Sequence, residues 1–410
     1  MSLQSVRGTH DLLPEECAKH RMVLDAALRI AELYGFREMS TPIFEFSEVF
    51  SRTLGDHSDI VTKEMYSFKD KGDEWLTLRP EGTAGIARAF ISEGLAHQTP
   101  FKVFYSGPMF RYERPQKGRQ RQFHQLGVEL IGVASPLADL ETLALADQIL
   151  DVLGLKNRAE LHLNSLGDQD TRKAYRTLLV EYLNDHATKL SADSQRRLTG
   201  NPLRILDSKD ENDQNILLGA PQFSSSLTPA ASDFFAQVQA GLDKLKISFT
   251  LNPRLVRGLD YYSHTVFEYR AKDLGAQDAI LSGGRYDQLI ETMGGPSTPG
   301  VGWAAGLERL VLLKNEVLPR PRPVVMVALG DETEQETLKI AQELRQNGVH
   351  TELTFSGNMS KRMKKAAGMN ARYAVIIGAD ELKAGQVSIK DLDNGEQKKV
   401  PRDQLLQHLS

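Results

Sequence analysis

The sequence predicts an α+β protein, in which an antiparallel-sheet domain with a helical insertion is followed by a small C-terminal α/β domain. Three observations support this fold class. Residues 104–132 have the pattern of two antiparallel strands joined by a charged loop. Residues 168–240 are polar and helix-rich, and they lie between two sheet-like regions. After a proline-rich segment at residues 318–323, strand and helix patterns alternate.

Composition indicates a globular protein of two or three domains. The chain has 410 residues, of which 40% are hydrophobic and 25% charged. Its net charge of −4 means that any nucleic-acid binding must come from local basic patches. The single cysteine, Cys17, excludes an intrachain disulfide and a cysteine-rich metal site. No apolar run approaches the roughly 20 residues that span a bilayer, and the N-terminus lacks a signal-peptide core, so we expect a cytoplasmic protein without membrane contact.

The N-terminal segment predicts a helix followed by a strand. Pro14 is well placed to start a helix, and apolar residues recur at helical spacing over residues 15–34. Gly35 is a natural C-cap, after which residues 36–39 have an extended pattern. A helix that is apolar on two sides can belong to the core or to a subunit interface, and the sequence leaves both interpretations open.

A strand-to-helix junction carries the first candidate binding groups. Apolar and polar residues alternate before Pro80, and a helix is predicted from about Thr83 to Phe90. At this junction Glu81 and Thr83 could offer a carboxylate and a hydroxyl to an ammonium group. Equally, Thr83 could cap the helix, with Glu81 in a favourable position for the helix dipole.

The central hairpin places polar groups on one face of an otherwise apolar strand. We predict a first strand that ends near Glu113, a loop over residues 114–121, and a return strand from about residue 122. Side chains alternate between the two faces of the return strand, so Leu126, Val128 and Leu130 share the core face, and Gln125, Gly127 and Glu129 share the other. Buried polar groups need partners, which a ligand can supply, and Gly127 leaves room for something lying against the sheet.

The hairpin loop and its flanks carry more charge than a turn requires. Within the loop lie four basic residues, Arg114, Lys117, Arg119 and Arg121. Just before it, Arg111 and Glu113 share a face, and a guanidinium beside a carboxylate suits a phosphate and its metal or base partners. A solvated surface hairpin is the alternative, but these groups together predict a binding site.

Later candidates are cations and aromatic hydroxyls that lie close to glycines: Arg257, Tyr261, Tyr262, Tyr286 and Arg309. The sheet pattern resumes near residue 255, after an insertion in which we identify no catalytic constellation. Gly302 and Gly306 permit close approach of a flat ring or of phosphates. The sequence contains neither a Walker-type loop nor a Gly-x-Gly-x-x-Gly dinucleotide motif.

The C-terminal region predicts a mostly parallel or mixed sheet with helices. Strands are predicted at residues 324–329, 350–355 and 373–377, with helices at 334–346 and 359–367. The second helix carries four basic residues, Lys361, Arg362, Lys364 and Lys365. Such a run can be a solvated face or can contact an RNA backbone, and both remain open.

Six segments, taken in this order, resemble the histidyl-tRNA synthetases, a family of class II aminoacyl-tRNA synthetases. They are Arg7-Gly-Thr-His-Asp, Arg79-Pro-Glu-Gly-Thr, the hairpin at 110–132, Arg257-Gly-Leu-Asp-Tyr-Tyr, Ser282-Gly-Gly-Arg-Tyr-Asp and the segment at 302–309. The resemblance covers nearly the whole chain. It implies a class II catalytic domain at residues 1–317 with an insertion at about 168–240, a linker at 318–323, and an anticodon-binding-type domain at 324–410. It also implies a homodimer formed through the first helix and strand.

The resemblance further implies a histidine–tRNA ligase. Histidine and ATP, with Mg²⁺ entering on ATP and no dedicated protein metal site, would give histidyl-adenylate and pyrophosphate. The histidine would then pass to the 3′ end of tRNA(His). Arg111 and Arg257 would be catalytic, holding the α-phosphate and the histidine carboxylate, with Arg257 doing part of what metal does in relatives.

The same resemblance assigns the remaining site residues. Histidine would be bound by Glu81, Thr83, Arg111, Gln125, Glu129, Arg257, Tyr261, Tyr262 and Tyr286. ATP would be bound by Arg111, Glu113, Arg119, Phe123 and Arg309, with Phe123 stacked on adenine. Arg114 and Gln116 would face the acceptor end of the tRNA, and the insertion and the basic helix would add tRNA contacts.

Two alternatives come from other functional classes. One is the synthetase-like regulatory subunit of ATP phosphoribosyltransferase, a histidine sensor that typically lacks the arginine-bearing motif at residues 257–262 and the C-terminal domain. The other is a synthetase-like RNA-binding or signalling module that has lost its chemistry. Such a module would be expected to lack Arg111, Arg257 or Arg309, and this chain has all three.

Overall fold

The computed structural model describes residues 3–54, 60–116, 118–257, 259–315 and 321–409, without the side chains of residues 54, 276 and 277. The chain divides into two compact units, Met1–Glu316 and Val317–Ser410. Part of the predicted linker at 318–323, residues 318–320, lies outside the described residues.

The first unit is built on an eight-stranded sheet whose central strands are antiparallel. In spatial order these are β1 (Arg37–Glu38), β5 (Phe101–Phe110), β6 (Gln122–Ile131), β11 (Gly300–Gly306), β10 (Ala279–Arg285), β9 (Ser263–Arg270), β7 (Glu160–Ser165) and β8 (Phe249–Leu251). Only the outer pairs β1–β5 and β7–β8 run parallel. A separate antiparallel sheet has the order β2 (Phe44–Phe46), β4 (Trp75–Leu78), β3 (Tyr66–Lys69).

Helices cover both faces of the large sheet. They are α1 (Pro14–Leu33), α2 (Glu48–Leu54), α3 (Thr83–Ser92), α4 (Pro136–Val152), α5 (Gln169–Asn184), α6 (Ala192–Gly200), α7 (Glu211–Leu217), α8 (Pro229–Leu245), α9 (Leu289–Thr292) and α10 (Leu307–Lys314). Leu126, Val128 and Leu130 of β6 pack with α1, α4, α8 and α10 on one face, as their alternation predicted. On the other face α3 and the helical segment α5–α7 pack together with the tyrosines at 261, 262 and 286.

Two predicted strands are shorter in the structure. At their ends, the backbone groups that were expected to pair with a neighbouring strand are hydrogen-bonded to a side chain or to a distant part of the backbone. The first hairpin strand ends at Phe110, since the Tyr112 amide donates to the Glu64 carbonyl at 2.7 Å and so leaves the hairpin ladder. The strand expected from residue 255 begins at Ser263. Before it, the side-chain amide of Asn164 donates to the Leu255 carbonyl at 3.0 Å.

The second unit has a mixed five-stranded sheet, which confirms the predicted α/β class. Its elements are β12 (Val324–Ala328), α11 (Asp331–Gln346), β13 (Thr351–Leu353), α12 (Met359–Gly368), β14 (Tyr373–Ile377), α13 (Ala379–Ala384), β15 (Gln386–Asp391), β16 (Gln397–Pro401) and α14 (Leu405–Leu409). The strand order is β13-β12-β14-β15-β16, with the first three parallel and the last two antiparallel. Among the described residues, no helix is both long enough and apolar enough to cross a membrane.

Candidate active site

A cleft of about 1560 Å³ lies in the first unit, between the hairpin, the N-terminus of α3, the start of α10 and the helical segment. It brings together eleven of the residues predicted from the sequence: Glu81, Thr83, Arg111, Glu113, Arg119, Phe123, Gln125, Arg257, Tyr261, Tyr262 and Arg309. These residues come from five separate stretches of the chain, so their convergence is a property of the fold. The cleft is therefore the candidate active site.

Glu81, and not Thr83, caps helix α3. Its carboxylate accepts hydrogen bonds from the backbone amides of Thr83 and Ala84, both at 2.7 Å. The Thr83 hydroxyl, expected to be a possible cap, instead donates to Glu129 at 2.7 Å. Burial raises the pKa of Glu81, although the two amides and the charge of Arg111 oppose the shift.

Glu129 and Tyr286 lie behind the cleft wall and do not line it. Glu129 is fully buried, and its second carboxylate oxygen accepts a hydrogen bond from the Tyr286 hydroxyl. Burial raises the pKa of Glu129 to about 8, against the opposing effect of the hydrogen bonds from Thr83 and Tyr286. The carboxyl group is therefore protonated for much of the time at neutral pH.

Two glycines were expected to leave room for a ligand, but protein side chains occupy the space beside each of them. A Cβ atom on Gly127 would lie 2.5 Å from the Tyr105 hydroxyl, and one on Gly302 would lie 1.8 Å from a carboxylate oxygen of Glu129. Tyr105, which the sequence analysis did not single out, lies directly opposite Gly127 in the β5–β6 register. This register is set by the pairing of β5 with β6, and no local sequence pattern indicates it.

Several buried polar atoms of the cleft have no hydrogen-bond partner within the described part of the chain. They include the side-chain oxygen of Gln125, the Tyr261 hydroxyl and Nε of Arg257. Burial raises the pKa of the adjacent Tyr262 to about 12, so its phenol stays neutral and can donate a hydrogen bond. Unpaired buried polar groups are costly, so a polar ligand that satisfies them would bind favourably.

Three arginines converge at the other end of the cleft. Nε of Arg111 donates to the Pro80 carbonyl at 2.9 Å, and its guanidinium lies 5.3 Å from the centre of the Phe123 ring. Arg309 donates to the carbonyls of Gly118 at 3.1 Å and Ala279 at 2.6 Å. Burial lowers the pKa of Arg309, and the charges of Arg119 and Arg111 lower it further. Such a group of cations is suited to a polyphosphate.

Two carboxylates form ion pairs with arginines of the cleft. Glu113 forms an ion pair with Arg119 at the edge of the hairpin loop. Glu268 on β9 lies 3.2 Å from a terminal nitrogen of Arg257 and 3.4 Å from one of Arg270. Arg257 is thus fixed at one end by Glu268, while its Nε remains available to a ligand.

His20, His124 and Glu308 form a cluster that sequence reasoning missed, because its members lie on α1, β6 and α10. Glu308 accepts a hydrogen bond from the His124 backbone amide at 2.9 Å and contacts His124 Nδ1 at 2.8 Å. The rings of His20 and His124 meet edge to face, with centroids 5.6 Å apart. Since Glu308 is committed to His124, the cluster joins β6 beside Phe123 to α10 beside Arg309.

The two residues expected to face tRNA lie outside the cleft lining. Arg114 and Gln116 are exposed on the hairpin loop, where Gln116 and Arg119 form a backbone bridge. Lys117 lies outside the described residues. Arg121 has a structural role, because its guanidinium lies 3.9 Å from the centre of the Tyr112 ring.

The basic run on α12 is not one uniform surface. Lys361, Lys364 and Lys365 are exposed, whereas Arg362 is buried. Arg362 donates to the carbonyls of Thr354 and Gly357, the latter at 2.7 Å. The expectation that all four cations share one role is therefore wrong for Arg362, which holds the loop before α12.

Comparison with known proteins gives a consistent result. Residues 8–310 match the family model described as histidyl-tRNA synthetase, and residues 323–410 match the model described as anticodon binding domain. A histidine–tRNA ligase of Rhodospirillum rubrum is 56% identical over 97% of this chain and 96% of its own, and one of Gluconacetobacter diazotrophicus is 50% identical over 100% and 99%. The apo histidyl-tRNA synthetase structure from S. aureus covers 100% of both chains with a TM-score of 0.83 at 34% identity. An ATP phosphoribosyltransferase regulatory subunit/histidyl-tRNA synthetase from Bacillus halodurans, at 22% identity and a TM-score of 0.68, shares the fold.

Proposed function

This chain belongs to the histidyl-tRNA synthetase family, and we propose that its cleft carries out the two steps of a histidine–tRNA ligase. Histidine reacts with ATP to give histidyl-adenylate and pyrophosphate, and the histidine then passes to the 3′ end of tRNA(His). The observation that carries the proposal is the convergence, in one cleft, of three arginines with buried polar groups that have no hydrogen-bond partner among the described residues. The first set suits a nucleotide and the second suits an amino acid.

ATP binds at the arginine end of the cleft. Arg111, Arg119 and Arg309 neutralise the phosphates, and Phe123 stacks on the adenine. Glu113 is placed among these cations, where its carboxylate can hold the Mg²⁺ that enters with ATP. A bound Mg²⁺ would offset phosphate charge there.

Histidine binds at the polar end. Glu81 receives the ammonium group, while the side-chain oxygen of Gln125 and the Tyr261 hydroxyl, which have no partner in the described part of the chain, form hydrogen bonds with the ligand. Thr83 and Tyr262 complete the same wall. Such a site rejects amino acids that cannot fill its hydrogen bonds, by about 10⁴ or more.

The imidazole is recognised by the layer behind this wall. In the described structure Glu129 accepts hydrogen bonds from both Thr83 and Tyr286, so contact of Glu129 and Tyr286 with the ring requires this layer to rearrange when histidine binds. A protonated Glu129 can donate one hydrogen bond and accept another, which matches the two nitrogens of a neutral imidazole.

Catalysis consists of positioning and charge stabilisation. The histidine carboxylate attacks the α-phosphorus, negative charge grows on the phosphate oxygens, and Arg111 and Arg257 stabilise that charge. Nε of Arg257 has no partner within the described residues, so it can bind the reacting groups. No side chain needs to act as a covalent nucleophile.

The tRNA and a second subunit complete the proposal. The C-terminal unit binds the anticodon, and the exposed Arg114 and Gln116 contact the acceptor end. The homodimer through the first helix and strand stays a prediction from the resemblance. To that interface we add the apolar face of the β2-β4-β3 sheet, which follows β1 in the chain and on which Phe44 and Phe46 are 53% and 57% exposed. We place the enzyme in the cytoplasm, where its substrates are found.

Pyrophosphate exchange into ATP tests the proposal when it is run with each of the twenty amino acids in turn. Exchange that depends on histidine alone is the expected result. A folded protein that binds histidine but exchanges with no amino acid would instead support the histidine-sensor alternative.

A further inference from the structure

We propose that Asn201 is a positioning residue for amino-acid activation, because from the helical segment it holds Asp260 and thereby the turn that carries Arg257 and Tyr261. This inference rests on the proposed function and extends it to a segment in which the sequence showed no catalytic constellation. It makes residues 201–210 of the helical segment part of the amino-acid site, in addition to any role in RNA binding.

The helical segment holds Asp260 by both its side chain and its backbone. The side-chain amide of Asn201 donates to the Asp260 carboxylate at 2.7 Å. A terminal nitrogen of Arg172, on α5, donates to the Asp260 carbonyl at 3.1 Å. Burial lowers the pKa of Arg172 and the nearby charge of Asp260 opposes the shift, so the two groups interact in a site with little water.

Asn201 is itself held firmly in place. It lies between α6 and a short 3₁₀ turn, Pro202–Asp207, whose Pro202 and Ile205 are buried. Ile205 and Leu206 belong to the same apolar cluster as Tyr261 and Tyr262. The amide of Asn201 is therefore fixed relative to the tyrosines of the cleft.

The segment at residues 253–262 depends on such side-chain hydrogen bonds, here called ties, because its described residues belong to no regular backbone hydrogen-bond pattern. Within the described residues 253–257 and 259–262, the chain is in neither helix nor strand. Asn164 donates to the Leu255 carbonyl at 3.0 Å at one end, and Asn201 and Arg172 hold Asp260 at the other. Arg257 lies between these two ties, and Tyr261 follows the second directly. Loosening the second tie should widen the range of positions of both side chains, and small displacements of catalytic groups cost rate.

The helical segment also forms one wall of the cleft. Its residues Leu206, Ser208 and Asp210, which follow Asn201 closely in the chain, line the cleft. Because Asn201 bonds Asp260, we expect a movement of this wall to be transmitted to Asp260 and through it to Arg257.

Substitutions at the contact test the inference. In Asn201→Asp, two carboxylates face each other, so we expect kcat/KM for histidine in pyrophosphate exchange to fall by at least about tenfold at pH 7.5, the scale of a hydrogen bond to a charged group. Because facing carboxylates share a proton at lower pH, part of the loss should be recovered near pH 6. Asn201→Ala should lose activity without that pH dependence.

A double variant that exchanges the two side chains distinguishes a loss of positioning from a loss of folding. The double variant Asn201→Asp/Asp260→Asn restores an amide–carboxylate hydrogen bond with its direction reversed, and we expect activity within about threefold of wild type. Gln195→Ala is the control on the same segment, because within the described residues its amide bonds the carbonyls of Ala187 and Leu190 and no group of the cleft. It should leave KM and kcat unchanged.

Two outcomes would overturn the inference. One is wild-type KM and kcat in both Asn201→Ala and Asn201→Asp. The other is an exchanged pair that has the thermal midpoint of wild type but no recovered activity. If wild type itself shows no histidine-dependent exchange, the proposed function fails and this inference fails with it, whereas active wild type with unaffected variants refutes this inference alone.

Discussion

The hydroxyl of Thr83 donates to the carboxylate of Glu129 across 2.7 Å, at the boundary between the cleft and the layer behind it. Thr83 lines the cleft, whereas Glu129 is entirely excluded from solvent. Because the carboxylate is stripped of water, its pKa rises to about 8 despite two hydrogen bonds. This one contact therefore links substrate access to the ionisation of a buried acid.

The raised pKa of Glu129 predicts a characteristic pH dependence of stability. Between its usual pKa of 4.5 and about 8, the folded protein holds a proton that the unfolded chain has lost. Stability therefore falls as pH rises through this window. Glu129→Gln removes the titration, so its free energy of unfolding relative to wild type should increase from pH 5 to pH 8. Urea unfolding at each pH measures the difference, and Glu93→Gln, at an exposed position, is the control. A difference that is independent of pH would contradict the prediction.

Arg257→Ala should abolish most adenylate formation. Loss of a preorganised group that stabilises developing charge costs roughly 3–4 kcal/mol of barrier, so we expect a fall in kcat of about 10²–10³ in histidine-dependent pyrophosphate exchange. Arg52→Ala is a matched control, because that arginine is exposed and is bonded to Glu48 one turn away. Near-normal exchange by Arg257→Ala would remove Arg257 from the catalytic assignment.

Asp213 stabilises the helical segment in a pH-dependent manner. Its carboxylate accepts hydrogen bonds from the Ser191 amide at 2.8 Å and from the hydroxyls of Ser191, Ser194 and Ser208 at 2.7, 2.5 and 2.6 Å. Burial acts to raise its pKa, but these donors outweigh it and hold the pKa below the usual 3.8. The stabilisation is thus present above the usual pKa and is lost as pH falls through the depressed one.

We therefore expect Asp213→Asn to be less stable than wild type at pH 7, by roughly 2–3 kcal/mol, because an amide cannot accept all four hydrogen bonds. The difference should shrink as pH falls below the usual pKa. Thermal unfolding at pH 7 and pH 3.5 checks both parts, and a difference that grew at low pH would show that another group dominates.

The parts of the fold that were predictable are those set by local periodicity. Alternation along β6 placed Leu126 and Leu130 in the core, and the strand-and-helix pattern after residue 323 predicted the class of the second unit. Gln125 was identifiable because a polar side chain is unusual on a strand that is otherwise apolar enough to be buried.

Tertiary contacts explain what could not be predicted. Tyr105 fills the space beside Gly127 only because β5 pairs with β6 in one register. Arg285 and Asp139 form a fully buried ion pair although 146 residues separate them, and no local pattern marks such a pair. A run of like charges likewise gives no sign that Arg362 alone turns inward.

The exposed lysines of α12 can be tested apart from Arg362. If they contact tRNA phosphates, Lys361→Ala/Lys364→Ala/Lys365→Ala should weaken tRNA binding and flatten its salt dependence, because fewer counterions are released. Arg362→Ala should mainly destabilise the second unit, since it leaves the Thr354 and Gly357 carbonyls without their donor. The measurement is the affinity for tRNA from 50 to 200 mM salt. If log K depends on log salt concentration as steeply in the triple variant as in wild type, the lysines form a solvated face and do not contact the phosphates.

We predict that the apolar face of the β2-β4-β3 sheet contributes to the interface of the proposed homodimer. Phe44 and Phe46 pair with Leu78 and Leu76 in register, so their side chains lie on one face. The side chain between them, Glu45, points the other way and bonds Arg88 at 2.6 Å. A contiguous exposed apolar face of this kind is typical of a protein interface.

Phe44→Glu/Phe46→Glu should therefore convert a dimer into monomers, because association would bury two unpaired carboxylates. The control is Trp75→Glu, which changes an aromatic residue that is 54% exposed on the opposite face of the same sheet. Sedimentation velocity at several concentrations should show a lower mass for the Phe44/Phe46 variant alone. If the Trp75 variant dissociated while the Phe44/Phe46 variant stayed dimeric, the interface would lie on the other face. Wild type that is monomeric at every concentration would refute the dimer itself.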